Sequence, residues 1–323
     1  MDNSRGIHQL NIVLVGRSGN GKTSTIQSLL ASQKSKTDLG RIVKYEGVMN
    51  NVKILALECK YVGDSGDDLP ESFNVEESAS EVLQLCNNSC HVFVFVLRYG
   101  VRFTQQEKDA VVMVKRVFGQ SVLKNYGIVV LTYGDNFTDN GESNFEDWLK
   151  DQRGGFRDLL REVNDRCVLF DNKLSGNMMD VVKKEQARKL QDIITKLCTT
   201  KGYIPYNENL LQNEKLRQKA EHLINGADEK LALSSKGPSK NGASNDDMRQ
   251  QLESIWDEIE QLLDEVRQKP GFTHVIQSLE EKRRQVCERR EMFTTRKSYY
   301  WCLRWCSCCC RCCSCCSCCL RFQ

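Results

Sequence analysis

Two periods of hydrophobicity organise the first two thirds of the chain. Apolar runs of strand length occur at 10–15, 41–48, 51–58, 91–97, 127–132 and 167–170. The run at 91–97 is apolar almost throughout, as in a strand covered on both faces. Between the runs the spacing turns helical. A first helix starts at Lys22 and ends near residue 31. Val75, Ala79, Val82, Leu83 and Cys86 lie on one face of a second, and 104–118 forms a third. An amphipathic stretch at 145–163 is weakened in its middle by Gly154 and Gly155, and a long helix covers 178–197. Residues 32–40 are polar and read as a loop. Strands alternating with helices predict a three-layer α/β fold, a mostly parallel sheet flanked by helices, with ligands at the carboxyl ends of the strands.

Past Tyr203 the strand pattern stops. The expected organisation is a globular domain at 7–205, a helical extension at 206–233, a Gly/Ser/Pro/Asn linker at 234–245, a helical or coiled-coil region at 246–298 and a cysteine-rich tail at 299–323. Met248, Leu252, Ile255, Ile259, Leu262 and Val266 follow one another at intervals of 4, 3, 4, 3 and 4, a heptad seam. Pro270-Gly271 interrupts it, and Val275, Leu279 and Val286 continue at similar intervals on a second, more basic helix. A helical hairpin packed on the chain itself and a seam between two copies are both open at this level.

Candidate chemistry concentrates where the first strand meets the first helix. Gly16-Arg17-Ser18-Gly19-Asn20-Gly21-Lys22-Thr23-Ser24 satisfies G-x-x-x-x-G-K-[ST] in the strand–turn–helix context that the motif requires. In this P-loop NTPase arrangement, glycine turns aim backbone N–H groups at a polyphosphate, Lys22 reaches the terminal phosphates and Thr23 offers its hydroxyl to Mg²⁺. Guanine-nucleotide proteins carry [NT]-[KRH]-x-D after the strand corresponding to 127–132, and the chain there runs Thr132-Tyr133-Gly134-Asp135, with Asp135 at the place of that carboxylate. A carboxylate there accepts hydrogen bonds from the ring nitrogen and exocyclic amine of guanine, which adenine does not offer. The ring of Tyr133 is suited to stack on the base. GTP or GDP with Mg²⁺ is therefore the expected ligand set.

The phosphate loop, the run Leu97-Arg98-Tyr99-Gly100-Val101-Arg102-Phe103-Thr104-Gln105-Gln106-Glu107 with its helix, the Leu131–Asp135 segment and Leu169-Phe170-Asp171-Asn172 resemble the immunity-associated GTPases, the GIMAP family with its plant and invertebrate relatives. The resemblance covers about residues 7–205. It implies a septin-like guanine-nucleotide domain followed by variable C-terminal helices, association with intracellular membranes, and assembly through nucleotide-binding faces as a homo-dimer or oligomer. By the same resemblance Asn172 would help hold guanine.

The chain departs from the GTPase pattern at D-x-x-G, where it reads Glu58-Cys59-Lys60-Tyr61 before Gly63-Asp64-Ser65. Glu58, one methylene longer than Asp, and Asp64 are the candidate carboxylates for the metal shell, and Thr37 is the candidate switch threonine. No Gln is evidently placed to orient an attacking water. Hydrolysis would then depend on dimerisation, with Arg102 or Arg98 supplied across the interface as an arginine finger. The alternative is a nucleotide-binding scaffold with little or no hydrolysis, acting through its C-terminal helices.

With 323 residues, 40% hydrophobic and 28% charged, the composition is that of a soluble globular protein. The net charge of +3 hides an asymmetry, because 282–311 carries +7 and leaves −4 for the rest. Of 17 cysteines, six are scattered singly and eleven fall between Cys302 and Cys319. The start lacks an apolar signal core, so a cytoplasmic chain with reduced thiols is expected. Its location there would be peripheral, on an intracellular or plasma membrane. The tail is a poor membrane span, since Arg304 and Arg311 would each cost about 2.5–3.5 kcal/mol near the bilayer centre. With Tyr299, Tyr300, Trp301 and Trp305 it reads well as an interfacial anchor carrying S-acylated thiols. A thiolate metal cluster and a low-complexity tail without function are the competing readings. No nucleic-acid partner is expected.

Overall fold

The computed structural model describes residues 9–30, 32–49, 52–64, 69–71, 73–139, 144–172, 179–235 and 245–292. The cysteine-rich tail, most of the linker at 234–245 and Ser65 lie outside these residues. The chain divides into two compact units, Met1–Glu214 and Lys215–Gln323.

The first unit is built on a seven-stranded sheet. In chain order its strands are β1 (Gln9–Val15), β2 (Ser32–Asp38), β3 (Ile42–Met49), β4 (Val52–Cys59), β5 (Val92–Arg98), β6 (Gly127–Thr132) and β7 (Cys167–Leu169). Their spatial order is β2-β3-β4-β1-β5-β6-β7. β4, β1, β5, β6 and β7 run parallel, whereas β3 is antiparallel to both β4 and β2. The period of two along each strand sorts the core between two faces. Val13, Val15, Leu55, Leu57, Phe93, Phe95 and Val129 meet α2 (Val75–Leu85) and α3 (Gln105–Phe118) on one side. Ile12, Leu14, Ile54, Ala56, Val94, Val96 and Val130 meet α1 (Lys22–Leu29) and α8 (Met179–Thr200) on the other. The three layers are those the alternation of strand and helix implies.

Two local expectations are corrected, and two short helices are added. The polar stretch at 32–40 is not a loop but the edge strand β2, paired from Ser32 opposite Val48 to Asp38 opposite Val43. An edge strand is held by backbone bonds to one neighbour, which require no apolar side chains. The stretch at 145–163 is two helices, α6 (Phe145–Asp151) and α7 (Gly154–Glu162). Gly154 begins α7 with φ +63°, a left-handed value that glycine adopts without steric cost. Two short helices, α4 (Val122–Tyr126) and α5 (Asp135–Asp139), fall below the length at which hydrophobic periodicity is readable.

Into the second unit runs α9 (Glu208–Ser235), followed there by α10 (Asn245–Val266) and α11 (Thr273–Met292). Leu252, Ile259, Leu262 and Val266 of the heptad seam are fully buried. They pack with Ala220, Leu223 and Ala227 of α9 and with Phe272, Leu279 and Val286. The seam is thus consumed inside one chain, with Pro270-Gly271 turning α10 back as α11. No helix among the described residues is long and apolar enough to cross a membrane.

Candidate functional site

β1 ends at the sheet centre, and the chain must turn sharply there to enter α1. Gly16 turns with φ +127°, and a Cβ at that position would lie 2.5 Å from the Val96 carbonyl oxygen. Gly19 (φ +81°) and Gly21 (φ +92°) are also left-handed. Successive turns of this kind orient backbone N–H groups toward one concavity, and the positive end of the α1 dipole adds to it. Asn20 fixes the loop by donating from Nδ2 to the Val96 carbonyl (3.1 Å). Arg17 reaches outward to Glu107 (3.3 Å). Glu107 also closes the capping box at the start of α3, accepting from the Thr104 backbone (3.1 Å) and from its hydroxyl. Burial would raise the Glu107 carboxyl, but the hydrogen bonds it accepts, those from Thr104 first and that from Arg17 among them, together hold it below the ordinary carboxylate range.

Lys22 is buried at 5% exposure, and its Nζ donates to the carbonyls of Gly16 (2.5 Å) and Arg17 (3.2 Å). Burial lowers its pKa from the ordinary lysine value, while Asp64 and Glu58 pull the other way. Thr23 donates its hydroxyl to Glu58 Oε1 (2.7 Å), and Tyr45 donates to Glu58 Oε2 (3.0 Å). Burial, then the charge of Glu58, pushes the Tyr45 phenol up to about 12. Thr23 and Glu58 therefore present a hydroxyl and a carboxylate side by side, oxygen donors of the kind Mg²⁺ takes alongside phosphates and water. Among the described residues no group of three or more His, Cys, Asp and Glu forms a cage of its own.

The second candidate carboxylate has a different setting. Asp64 is 2% exposed and accepts from the Ser18 backbone N–H (2.7 Å) and the Ser18 hydroxyl (2.8 Å). Gly63 delivers it with φ +117°, and a Cβ there would lie 2.6 Å from the carbonyl carbon of Gly16. The Gly16 N–H donates to the Val62 carbonyl (2.9 Å), so the whole turn rests on the phosphate loop. Tyr61 itself lies half-buried, its ring edge-on to Phe73 at 6.5 Å. Thr37 is not brought into this group; it is exposed on β2, two strands from β4 and so about 10 Å away at ordinary strand spacing.

The ends of β6 and β7 close the other side. Thr132 is 1% exposed and donates to the Asn20 carbonyl (2.8 Å), tying β6 directly to the phosphate loop. Tyr133 has φ +61°, rare for a residue with a side chain, and the Arg98 guanidinium carbon stacks 4.1 Å from its ring centroid. The Gly134 N–H donates to the Phe170 carbonyl (2.9 Å), and Asp135 then opens α5. Asn172, two residues after Phe170, is pinned to α1, donating to the Thr25 hydroxyl (3.3 Å) and accepting from Ser28 (2.8 Å). The structure thus gathers Gly16 to Ser24, Glu58, Asp64, Thr132 to Asp135 and Asn172 at the carboxyl end of the sheet. Arg102 is exposed on the turn before α3. Sequence reasoning missed Tyr45, Glu107, Thr25 and Ser28 as supports. The spacing Thr104-x-x-Glu107 carried a capping-box signal, but the contact with Arg17 has no local signature.

A parallel sheet with a glycine loop leading into a helix at its centre defines the P-loop class of α/β proteins. Comparison narrows the class, and the chain belongs to the AIG1 family, whose sequence model matches residues 10–225. Immune-associated nucleotide-binding protein 8 of Arabidopsis thaliana is 31% identical over 236 residues, covering 66% of this chain and 62% of that protein. GTPase IMAP family member 8 of Homo sapiens is 28% identical over 229 residues, 67% of this chain and 33% of that protein. The chain thus spans less than two thirds of the length of these relatives. The crystal structure of Toc33 from Arabidopsis thaliana with Mg²⁺ and GMPPNP superposes with a TM-score of 0.41 at 19% identity, over 59% of this chain and 86% of that one.

Proposed function

We propose that this chain binds a guanine nucleotide with Mg²⁺ at the carboxyl end of its sheet. The observation that supports the reading is the bond from Thr132 to the Asn20 carbonyl, which ties the start of the 132–135 segment to the phosphate loop. The loop amides and Lys22 would hold the phosphates, and Thr23 with Glu58 the metal. Asp135 would read the guanine edge, with Tyr133 and Asn172 flanking the base. The names of its relatives, a nucleotide-binding protein and a GTPase, support this assignment. Competition binding with fluorescent GDP tests it. Guanine nucleotides should displace the probe far better than adenine nucleotides, and Asp135→Ala should lower guanine affinity by about 10- to 100-fold, as loss of charge-assisted hydrogen bonds does. Equal displacement by ATP and GTP would refute it.

Assembly on a cytoplasmic membrane surface through the tail extends the proposal. Hydroxylamine-sensitive membrane association that disappears when the chain stops at Tyr300 is the expected result, and association unchanged by that truncation would count against it. Two observations favour a second reading, retention of nucleotide without turnover. Tyr61 stands where GTPases carry a glycine, and both oxygens of Glu58 already accept hydrogen bonds.

A further inference from the structure

The Asp64 carboxylate is an anion held against the face of the loop that is built to hold anions. Its two oxygens take one backbone N–H and one hydroxyl from Ser18, a bidentate contact that buries the carboxylate while Ser18 itself stays exposed. Three further features keep it there. Gly63 packs its backbone on Gly16, the Gly16 N–H donates to Val62, and the Asp64 N–H donates to the Tyr61 carbonyl (3.1 Å) to close the turn. Lys22, the cation that a terminal phosphate would approach, shares this electrostatic neighbourhood with Asp64.

A loop amide donates one proton. It cannot serve a carboxylate and a phosphate oxygen together, and two anions against one small concavity repel each other. We infer that Asp64 is a specificity-determining residue that competes with the outermost phosphate of a nucleotide for the Ser18 side of the loop. The chain thereby favours nucleoside diphosphates over triphosphates, and triphosphate binding requires the 61–64 turn to release the loop. This rests on the proposed nucleotide site and adds which phosphorylation state it prefers. It also distinguishes Asp64 from Glu58, whose carboxylate engages Thr23 and Tyr45 rather than the loop amides.

The test measures affinities of the full chain for GDP, a non-hydrolysable GTP analogue, ADP and a non-hydrolysable ATP analogue, in the wild type and in Asp64→Asn, Asp64→Ala and Ser18→Ala. Asp64→Asn keeps the shape and a hydrogen-bond acceptor while removing the charge, so it remains informative if the alanine variant folds poorly. In both Asp64 variants the triphosphate-to-diphosphate affinity ratio should rise by roughly tenfold, the scale of one charge-assisted hydrogen bond. Ser18→Ala, which keeps the amide contact, should raise it by less. A ratio unchanged in both folded Asp64 variants would overturn the inference and leave guanine binding standing. A falling ratio would overturn it too, by showing that the carboxylate helps hold the triphosphate. If the ratio rises but guanine and adenine bind alike, the inference stands and the base assignment falls. No binding of any of the four nucleotides would end both.

Discussion

At the scale of single residues, the first unit depends on polar groups whose partners lie far off in sequence. Asn11 is buried and its amide side chain bonds the carbonyls of Cys86 (3.1 Å) and Ser89 (2.7 Å), while its backbone N–H donates to His91 Nδ1 (3.0 Å). That last bond requires a ring with a free lone pair at Nδ1, and burial lowers the His91 pKa from its ordinary value of 6.5. Between the ordinary and the lowered value the unfolded chain binds a proton that the folded chain does not, so stability falls as pH falls through that window. Melting temperature followed from pH 8 to pH 5 should drop more steeply in the wild type than in His91→Gln, whose charge is fixed. Parallel curves would show that the histidine has no part in acid sensitivity. The same long range explains what the sequence left hidden in the site. Gly16 to Ser24 and Asp135 can be singled out as candidates because each motif is local, but nothing near Asp64 says that its carboxylate bonds Ser18, 46 positions earlier.

Elements were legible where burial imposes a period and illegible where it does not. The central strands announced themselves because both faces are covered, and Phe93 and Phe95 are wholly buried. β2 did not, because Lys36, Thr37 and Asp38 are exposed and its only strand partner is β3. The heptad spacing of α10 marks an apolar stripe, yet a stripe does not say what covers it. In the structure α9 and α11 of the same chain do so. Ile259→Ala should therefore destabilise the helical unit by about 2–5 kcal/mol, the usual cost of truncating a fully buried aliphatic side chain. The loss should appear as a lower melting transition whose midpoint is independent of protein concentration. A midpoint that climbs with concentration would instead place the seam between copies.

For the whole molecule, the question is whether a chain with an altered D-x-x-G segment turns nucleotide over. Arg98 and Arg102 are the candidates for an arginine supplied by a second copy, and they differ in setting. Arg98 stacks on Tyr133 of its own chain, whereas Arg102 is exposed on the turn before α3. The expected signature is turnover per molecule that rises with enzyme concentration and falls on the order of 10³-fold in Arg102→Ala, the scale of a lost arginine finger. Turnover independent of concentration would exclude a contribution in trans. The sheet itself bears on how copies would meet. One border is β2, whose exposed Lys36 and Asp38 make it a poor template for a further strand, and the other is β7, only three residues long. Charged side chains on one margin and brevity on the other both discourage growth by strand addition, so a second copy of this domain would have to be met through side-chain surfaces that can be made and unmade.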